Sequence, residues 1–174
     1  MEKTSNNQEL IDIEHYSNIN QKPPSGKHYQ VKVDHQQLVF NKEKVTGLEI
    51  LDAAGRTPPE CHTLYQKFKG CDFEKVGLTE VVDLLRQGIE MFITKPAEVF
   101  YYDLDDEPET TELKEMTPAQ ILIAGGINPK THYLVQINSD GSQVNYKDDA
   151  DKSIKMQCPR IKYVSVLNGP TPVS

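Results

Sequence analysis

No run of apolar residues in this chain approaches the roughly 18 that a membrane-spanning helix needs, so no span and no membrane partner are expected. The first residues lack the basic start and apolar core of a secretory signal. Cysteine is scarce. Cys61, Cys71 and Cys158 are odd in number and irregularly spaced, which suits a reducing cytoplasm better than a disulfide framework. Positive charge is in deficit, with 19 Lys and Arg against 26 Asp and Glu and a net charge of −7, which argues against a nucleic-acid partner. Catalytic and cofactor motifs are missing as well. There is no Cys-x-x-Cys or His-x-x-x-His spacing for a zinc site and no glycine loop to cradle a phosphate, so no metal and no cofactor are expected. Cys61 and His62 are adjacent, and adjacent strand side chains point to opposite faces, so they do not make a nucleophile pair. The acidic run Asp103–Glu109 reads as a solvated hairpin turn rather than paired catalytic carboxylates. Asp148, Asp149 and Asp151 lack the glycine and closing glutamate of a calcium loop. A chain without a catalytic constellation reads as a substrate of enzymes rather than an enzyme.

What the sequence does contain is a short helix marked at both ends and present twice. In the first copy Thr46 is the N-cap, Glu49 completes a capping box, Gly55 takes the left-handed turn after the last residue and Pro58 prevents a restart. The segment beginning at Thr117 repeats this arrangement 71 positions later, with Pro118 at the first helical position, where a missing N–H costs nothing. The same offset carries Tyr29, Val31, Val33 and Asp34 onto Phe100, Tyr102, Leu104 and Asp105, and Gly70 onto Gly141. A constant offset over this length indicates a tandem duplication with its boundary near Pro96. Alternating apolar residues predict strands over 29–33, 38–40, 63–68 and 89–94, with irregular structure and a short strand between 72 and 86. In the second copy they predict strands over 99–105, 110–113, 132–137 and 163–166, with a turn at 105–108.

Residues 1–27 are rich in Asn, Gln, Ser and Pro and are expected to form a flexible tail. The alternative is that Leu10–Tyr16 is a short element that docks onto a partner or back onto the folded part. The predicted organisation is therefore a tail over 1–27, domains over 28–96 and 97–169, and a C-terminal tail over 170–174. Two hairpin strands, a helix and further strands in so small a unit give an α+β class. The order is that of a ubiquitin-like β-grasp: a mixed sheet packed on one helix, with the first and last strands as a parallel central pair.

The stretches Tyr29–Asp34, Val45–Ile50, Pro58–Cys61, Leu64–Gln66 and Phe92–Pro96 resemble the bacterial multiubiquitin family, whose members carry tandem ubiquitin-like domains. The resemblance implies a protein modifier encoded with ubiquitin-activating-like and ubiquitin-conjugating-like enzymes and a metal-dependent deconjugating peptidase. It also implies attachment to target proteins, in pathways linked to antiphage defence. A modifier of this kind reacts at its own C-terminus. Gly169 is then the expected acyl donor, exposed once a peptidase removes Pro170–Ser174, with Ser174 as the alternative. Val166, Leu167, Asn168 and Pro170 would be read by the processing enzymes. The departure from the eukaryotic pattern is that no Gly-Gly pair ends the chain. A binding or scaffold protein that recruits partners or self-assembles through an edge strand is the alternative function.

Overall fold

The computed structural model describes residues 9–169. The chain divides into two compact units, Met1–Pro96 and Ala97–Ser174. The first contains β1 (Leu10–Asp12), α1 (Ile13–Asn18), β2 (His28–Val33), β3 (Gln36–Phe40), β4 (Lys44–Thr46), α2 (Gly47–Ala53), a 3-10 turn (Pro59–Cys61), β5 (His62–Phe68), β6 (Phe73–Val76), β7 (Val81–Asp83) and β8 (Ile89–Pro96). The second contains β9 (Phe100–Leu104), β10 (Glu107–Thr111), β11 (Glu115–Met116), α3 (Pro118–Ala124), β12 (His132–Ile137), β13 (Gln143–Asn145), β14 (Ile154–Lys155) and β15 (Ile161–Leu167). Both are β-grasp domains. The sheet order is β1-β2-β8-β5-β6 in the first, with β3 on the other edge of β2, and β10-β9-β15-β12-β13 in the second. First and last sheet strands run parallel, Val33 facing Phe92 and Leu104 facing Tyr163.

The helices form where both ends are chemically marked. Thr46 and Thr117 adopt extended backbone and accept the N–H of Glu49 and of Gln120. The side chains of Glu49 and Gln120 reach back to the cap N–H, completing both boxes. At the end of α2, Gly55 takes φ +70° and Arg56 N–H donates to Leu51 O at 2.9 Å, closing the helix. Each helix presses a narrow apolar face on its sheet. Ile50 and Leu51 are fully buried in the first core, Ile121 and Leu122 in the second. Gly125 stands where Ala54 stands in the first copy, because a Cβ at Gly125 would lie 2.3 Å from Leu104 Cδ2.

The expectation of a flexible N-terminal tail over 1–27 is corrected for residues 10–18. Asp12 caps α1 by accepting the N–H of His15, and Ile11 and Ile13 are 2% and 1% exposed in the first core. Burial of two β-branched side chains is what orders a segment whose overall composition reads as a linker. Residues 1–8 lie outside the described residues. Smaller corrections concern edges. The turn after β2 needs only Asp34 and His35, since Asp34 takes φ +52°, so β3 starts at Gln36. Likewise β10 starts at Glu107, inside the predicted acidic turn, and carries Pro108 on an edge strand, where its missing N–H is tolerated. The stretch 72–86 holds two strands, β6 against β5 and β7 against β4.

Candidate functional site

The C-terminal end of the second sheet is fixed by two sets of hydrogen bonds. At Asp105 the backbone takes φ +53°, which turns the hairpin back and aims its carboxylate at β15. Asp105 accepts the backbone N–H of Ser165 at 2.8 Å and the Ser165 hydroxyl at 2.5 Å. The first domain has the same clip, Asp34 accepting from Thr94 N–H at 2.8 Å and Oγ1 at 2.7 Å. There Arg56 adds a bond to each, 2.9 Å to Asp34 and 3.1 Å to Thr94 Oγ1. Burial pushes the Asp34 carboxyl up, but the Thr94 and Arg56 bonds and the guanidinium charge outweigh it and hold it below the usual carboxylate range.

One turn of chain further on, the loop before β12 makes the second set. Asn128 Oδ1 accepts the Lys130 N–H at 2.9 Å, and Asn128 O accepts from Thr131 and His132. The loop so shaped presents two carbonyls to the end of β15. Asn168 N–H donates to Thr131 O at 2.8 Å and Asn168 Nδ2 to Lys130 O at 3.2 Å. Asn168 is thus tied to the domain, and Gly169 is the first residue beyond the tie.

Gly169 is exposed, its φ lies outside the left-handed region, and a Cβ built on it would meet nothing within 4 Å. Gly55 and Gly141, by contrast, hold φ +70° and +83°, which side chains avoid. The fold therefore makes no demand for glycine at 169. Of the other residues predicted to be read in the tail, Val166 is half-buried opposite Tyr133 and Leu167 is 65% exposed opposite His132. Pro170 and Ser174 lie outside the described residues. The Asp105 clip and the Asn128–Thr131 loop were not picked out from the sequence. The signal for the clip was the repeat itself, since Asp34 and Thr94 match Asp105 and Ser165 at the same offset.

On the face of the second sheet opposite α3, Tyr133, Val135 and Ile137 on β12 and Val164 and Val166 on β15, with Gln143 and Asn145 on β13, line a shallow depression of about 310 Å3. Its last wall, Val166, lies three residues before Gly169. Among the described residues no group of three or more His, Cys, Asp or Glu is placed to hold a metal, and no helix is long and apolar enough to cross a membrane. The Asp103–Glu109 run sits in and around the β9–β10 hairpin, with Asp103 paired to Arg160 at 2.9 Å.

The second domain is a β-grasp whose last strand leads through the Asn168 tie to an exposed Gly169. Residues 29–97 match the multiubiquitin family. The first domain is thus similar to the multiubiquitin domain. No curated protein and no solved structure matches. The match covers the first domain, and the second shares its strand order, its parallel central pair and its double-ended helix cap. The chain thus carries two ubiquitin-like β-grasp domains, the first of which matches the multiubiquitin family.

Proposed function

We propose that the chain is a ubiquitin-like protein modifier whose reactive group is the carboxylate of Gly169. A peptidase hydrolyses the Gly169–Pro170 bond and releases residues 170–174. The new carboxylate attacks the α-phosphorus of ATP and expels pyrophosphate. A thiolate of the activating enzyme displaces AMP from the acyl adenylate, and the thioester passes to the conjugating enzyme. A target amine or hydroxyl then displaces the thiolate. In this reading the chain performs no catalysis, and its contribution is presentation. The observation that carries the reading is Gly169 itself, a glycine that neither backbone conformation nor packing requires, at the first position free of the Asn168 tie. A Cβ-free residue leaves both faces of the carbonyl open to attack in a narrow enzyme cleft. The pathway is a bacterial ubiquitination-like system in the cytoplasm, acting in antiphage defence, with a metallopeptidase as the processing and deconjugating partner.

Co-expression with ubiquitin-activating-like and ubiquitin-conjugating-like enzymes, followed by mass spectrometry, tests this. The expected products end at Gly169 and include thioester or isopeptide adducts. Adducts through Ser174 would move the reactive group to the alternative residue. An intact C-terminus without adducts would overturn the modifier reading.

The depression on the second sheet favours a second reading, in which the chain is a binding or scaffold protein that never reacts. Deleting residues 169–174 separates the two. Adenylation and thioester formation vanish if the chain is a modifier, whereas partner capture by the sheet face survives the deletion if it is a scaffold.

A further inference from the structure

The two domains guard the same sheet edge differently. Among the described residues β3 pairs only with β2, and its counterpart β10 only with β9. Which main-chain groups of these edge strands face outward follows from the turns beside them. Asp34 N–H donates to Phe92 O at 2.9 Å, and Asp105 N–H to Tyr163 O at 3.0 Å. Successive residues of a strand aim their N–H and C=O to opposite sides, so Lys32 and Gln30 point the same way as Asp34, away from β3. Val33, Val31 and Tyr29 therefore bond to β3, at Gln36, Leu38 and Phe40. The N–H and C=O of Gln37 and Val39 are left pointing out of the sheet. By the same reasoning Pro108 and Thr110 are the outward-pointing residues of β10.

At the offset of 71 residues Pro108 is the counterpart of Gln37. It removes the N–H that an added strand would need, and Glu107 and Glu109 put charge on the same strand. Proline and charge are the usual guards of an exposed edge. β3 has neither: it reads Gln36-Gln37-Leu38-Val39-Phe40. Val39 is 54% exposed where β10 has Thr110. Leu38 and Phe40 are half-buried, packed against the first core but open on their outer side. The other edge strands of the two main sheets are charged or short. β6 carries Glu74 and Lys75, and β1 and β13 span three residues each.

We propose that β3 is a dimerisation edge, pairing antiparallel with β3 of a second copy about a two-fold axis at Leu38. Gln37 then faces the second copy's Val39 and exchanges both main-chain bonds with it, and Val39 does the same with the second copy's Gln37. Between them Leu38 meets Leu38 as the closer, non-hydrogen-bonded pair. Phe40 meets Gln36, so the half-buried side chains of both copies are covered from the side. The two first-domain sheets become one continuous sheet. Self-complementarity selects this occupant. An edge without charge offers a foreign strand no charge to be chosen by, and it brings no like charges together when it meets itself. The two-fold operation uses every outward-pointing group of both strands. Pairing consumes β3 in each copy, and Pro108 blocks the equivalent edge of the second domain, so association closes at a dimer. The pairing belongs to the first domain and holds whether or not Gly169 reacts.

Sedimentation equilibrium of the full-length protein from about 1 μM to about 1 mM tests the edge. A monomer–dimer equilibrium is expected. Gln37→Pro, which copies the guard of the second domain, should weaken dimerisation at least about tenfold. The urea midpoint of the dilute variant should match the parent, because the Gln37 N–H points out of the fold. Cross-linking reads the register independently of that variant. With Cys71→Ser as background, mild oxidation should join two Leu38→Cys copies through position 38, as mapped by mass spectrometry. Two Val39→Cys copies should stay unlinked, since their Cα atoms stand more than about 7 Å apart in this register. A dimer untouched by Gln37→Pro, or linkage of Val39→Cys as efficient as that of Leu38→Cys, would overturn the proposal. A parent that stays monomeric to about 1 mM would overturn it as well and leave the edge to a foreign strand. Growth beyond the dimer would do the same by showing that further edges add strands.

Discussion

An alanine at Gly125 would bring its Cβ to 2.3 Å from Leu104 Cδ2, whereas an alanine at Gly169 would touch nothing within 4 Å. The same substitution therefore separates a packing glycine from the proposed acyl donor. Gly125→Ala should destabilise the second domain by about 1–3 kcal/mol through overpacking. Gly169→Ala should change the urea midpoint by less than about 0.5 kcal/mol in equivalent stability, while slowing adenylation by the cognate activating enzyme. Equal adenylation rates for Gly169→Ala and the parent would remove the case for Gly169 as acyl donor. At Asp34 the sign of a pH effect follows from its depressed pKa. The stabilisation it confers is fully present above the unfolded carboxylate value of about 4 and disappears as pH falls through the folded value. Asp34→Asn should cost about 1–2 kcal/mol at pH 7, and the gap between the two proteins should close on acidification. A cost that persists unchanged at about pH 2 would mean the side-chain shape, not its charge, holds Thr94. Two buried tyrosines offer the opposite case. The hydroxyls of Tyr102 and Tyr163 meet no hydrogen-bond partner among the described residues, and burial pushes the Tyr163 phenol up, with Tyr146 and Tyr102 adding to it. Phe92 is the first domain's counterpart of Tyr163, so Tyr163→Phe should raise stability by about 1 kcal/mol in denaturant melts.

At the scale of elements, the sequence was most readable where chemistry is local. Thr46, Glu49, Gly55 and their counterparts Thr117 and Gln120 act within one turn, so spacing alone exposes them, and the helices start where the caps say. Alternation was equally plain for β2, β5 and β12. It failed for β6, whose Phe73, Glu74 and Lys75 are all exposed, because an edge strand with little burial leaves no apolar period to see. It failed again for β1 and α1. Polar residues surround Ile11 and Ile13, and the reason they are ordered lies in partners distant in sequence, in β2, β8 and Lys69. The tie on Asn168 was hidden for the same reason, since its acceptors are backbone carbonyls in a loop of unremarkable composition. Removing residues 1–21 should therefore destabilise the first domain by about 3 kcal/mol, the worth of burying two isoleucines after relaxation. Hydrogen exchange at Tyr29, Val31 and Ile89 would register the loss, and unchanged protection there would show that the segment is passenger rather than part of the core.

For the whole molecule, duplication has produced two domains with one plan. Each has its own buried set, Tyr29 through Phe92 in the first and Tyr102 through Tyr163 in the second, and each closes its sheet with an Asp clip onto the last strand. The clip in the first domain leads through Thr94 into the next domain, and the clip in the second leads through Ser165 to the Asn168 tie. The first core also depends on residues 10–18, whereas the second is complete without any counterpart to them, at the expense of half-buried Phe100 and Ile161. Independence follows for the second domain. A fragment beginning at Ala97 should give a dispersed amide spectrum and a cooperative melt, since a unit with its own core carries its folding information. It should also remain a substrate for activation, because the Asp105 clip, the Asn168 tie and Gly169 all belong to it. A fragment beginning at His28 and ending at Pro96, lacking residues 10–18, should melt lower than one beginning at Glu9. If the Ala97 fragment folds but is not adenylated, activation must read the first domain as well, and the modifier would then be recognised as a pair rather than by its last domain alone.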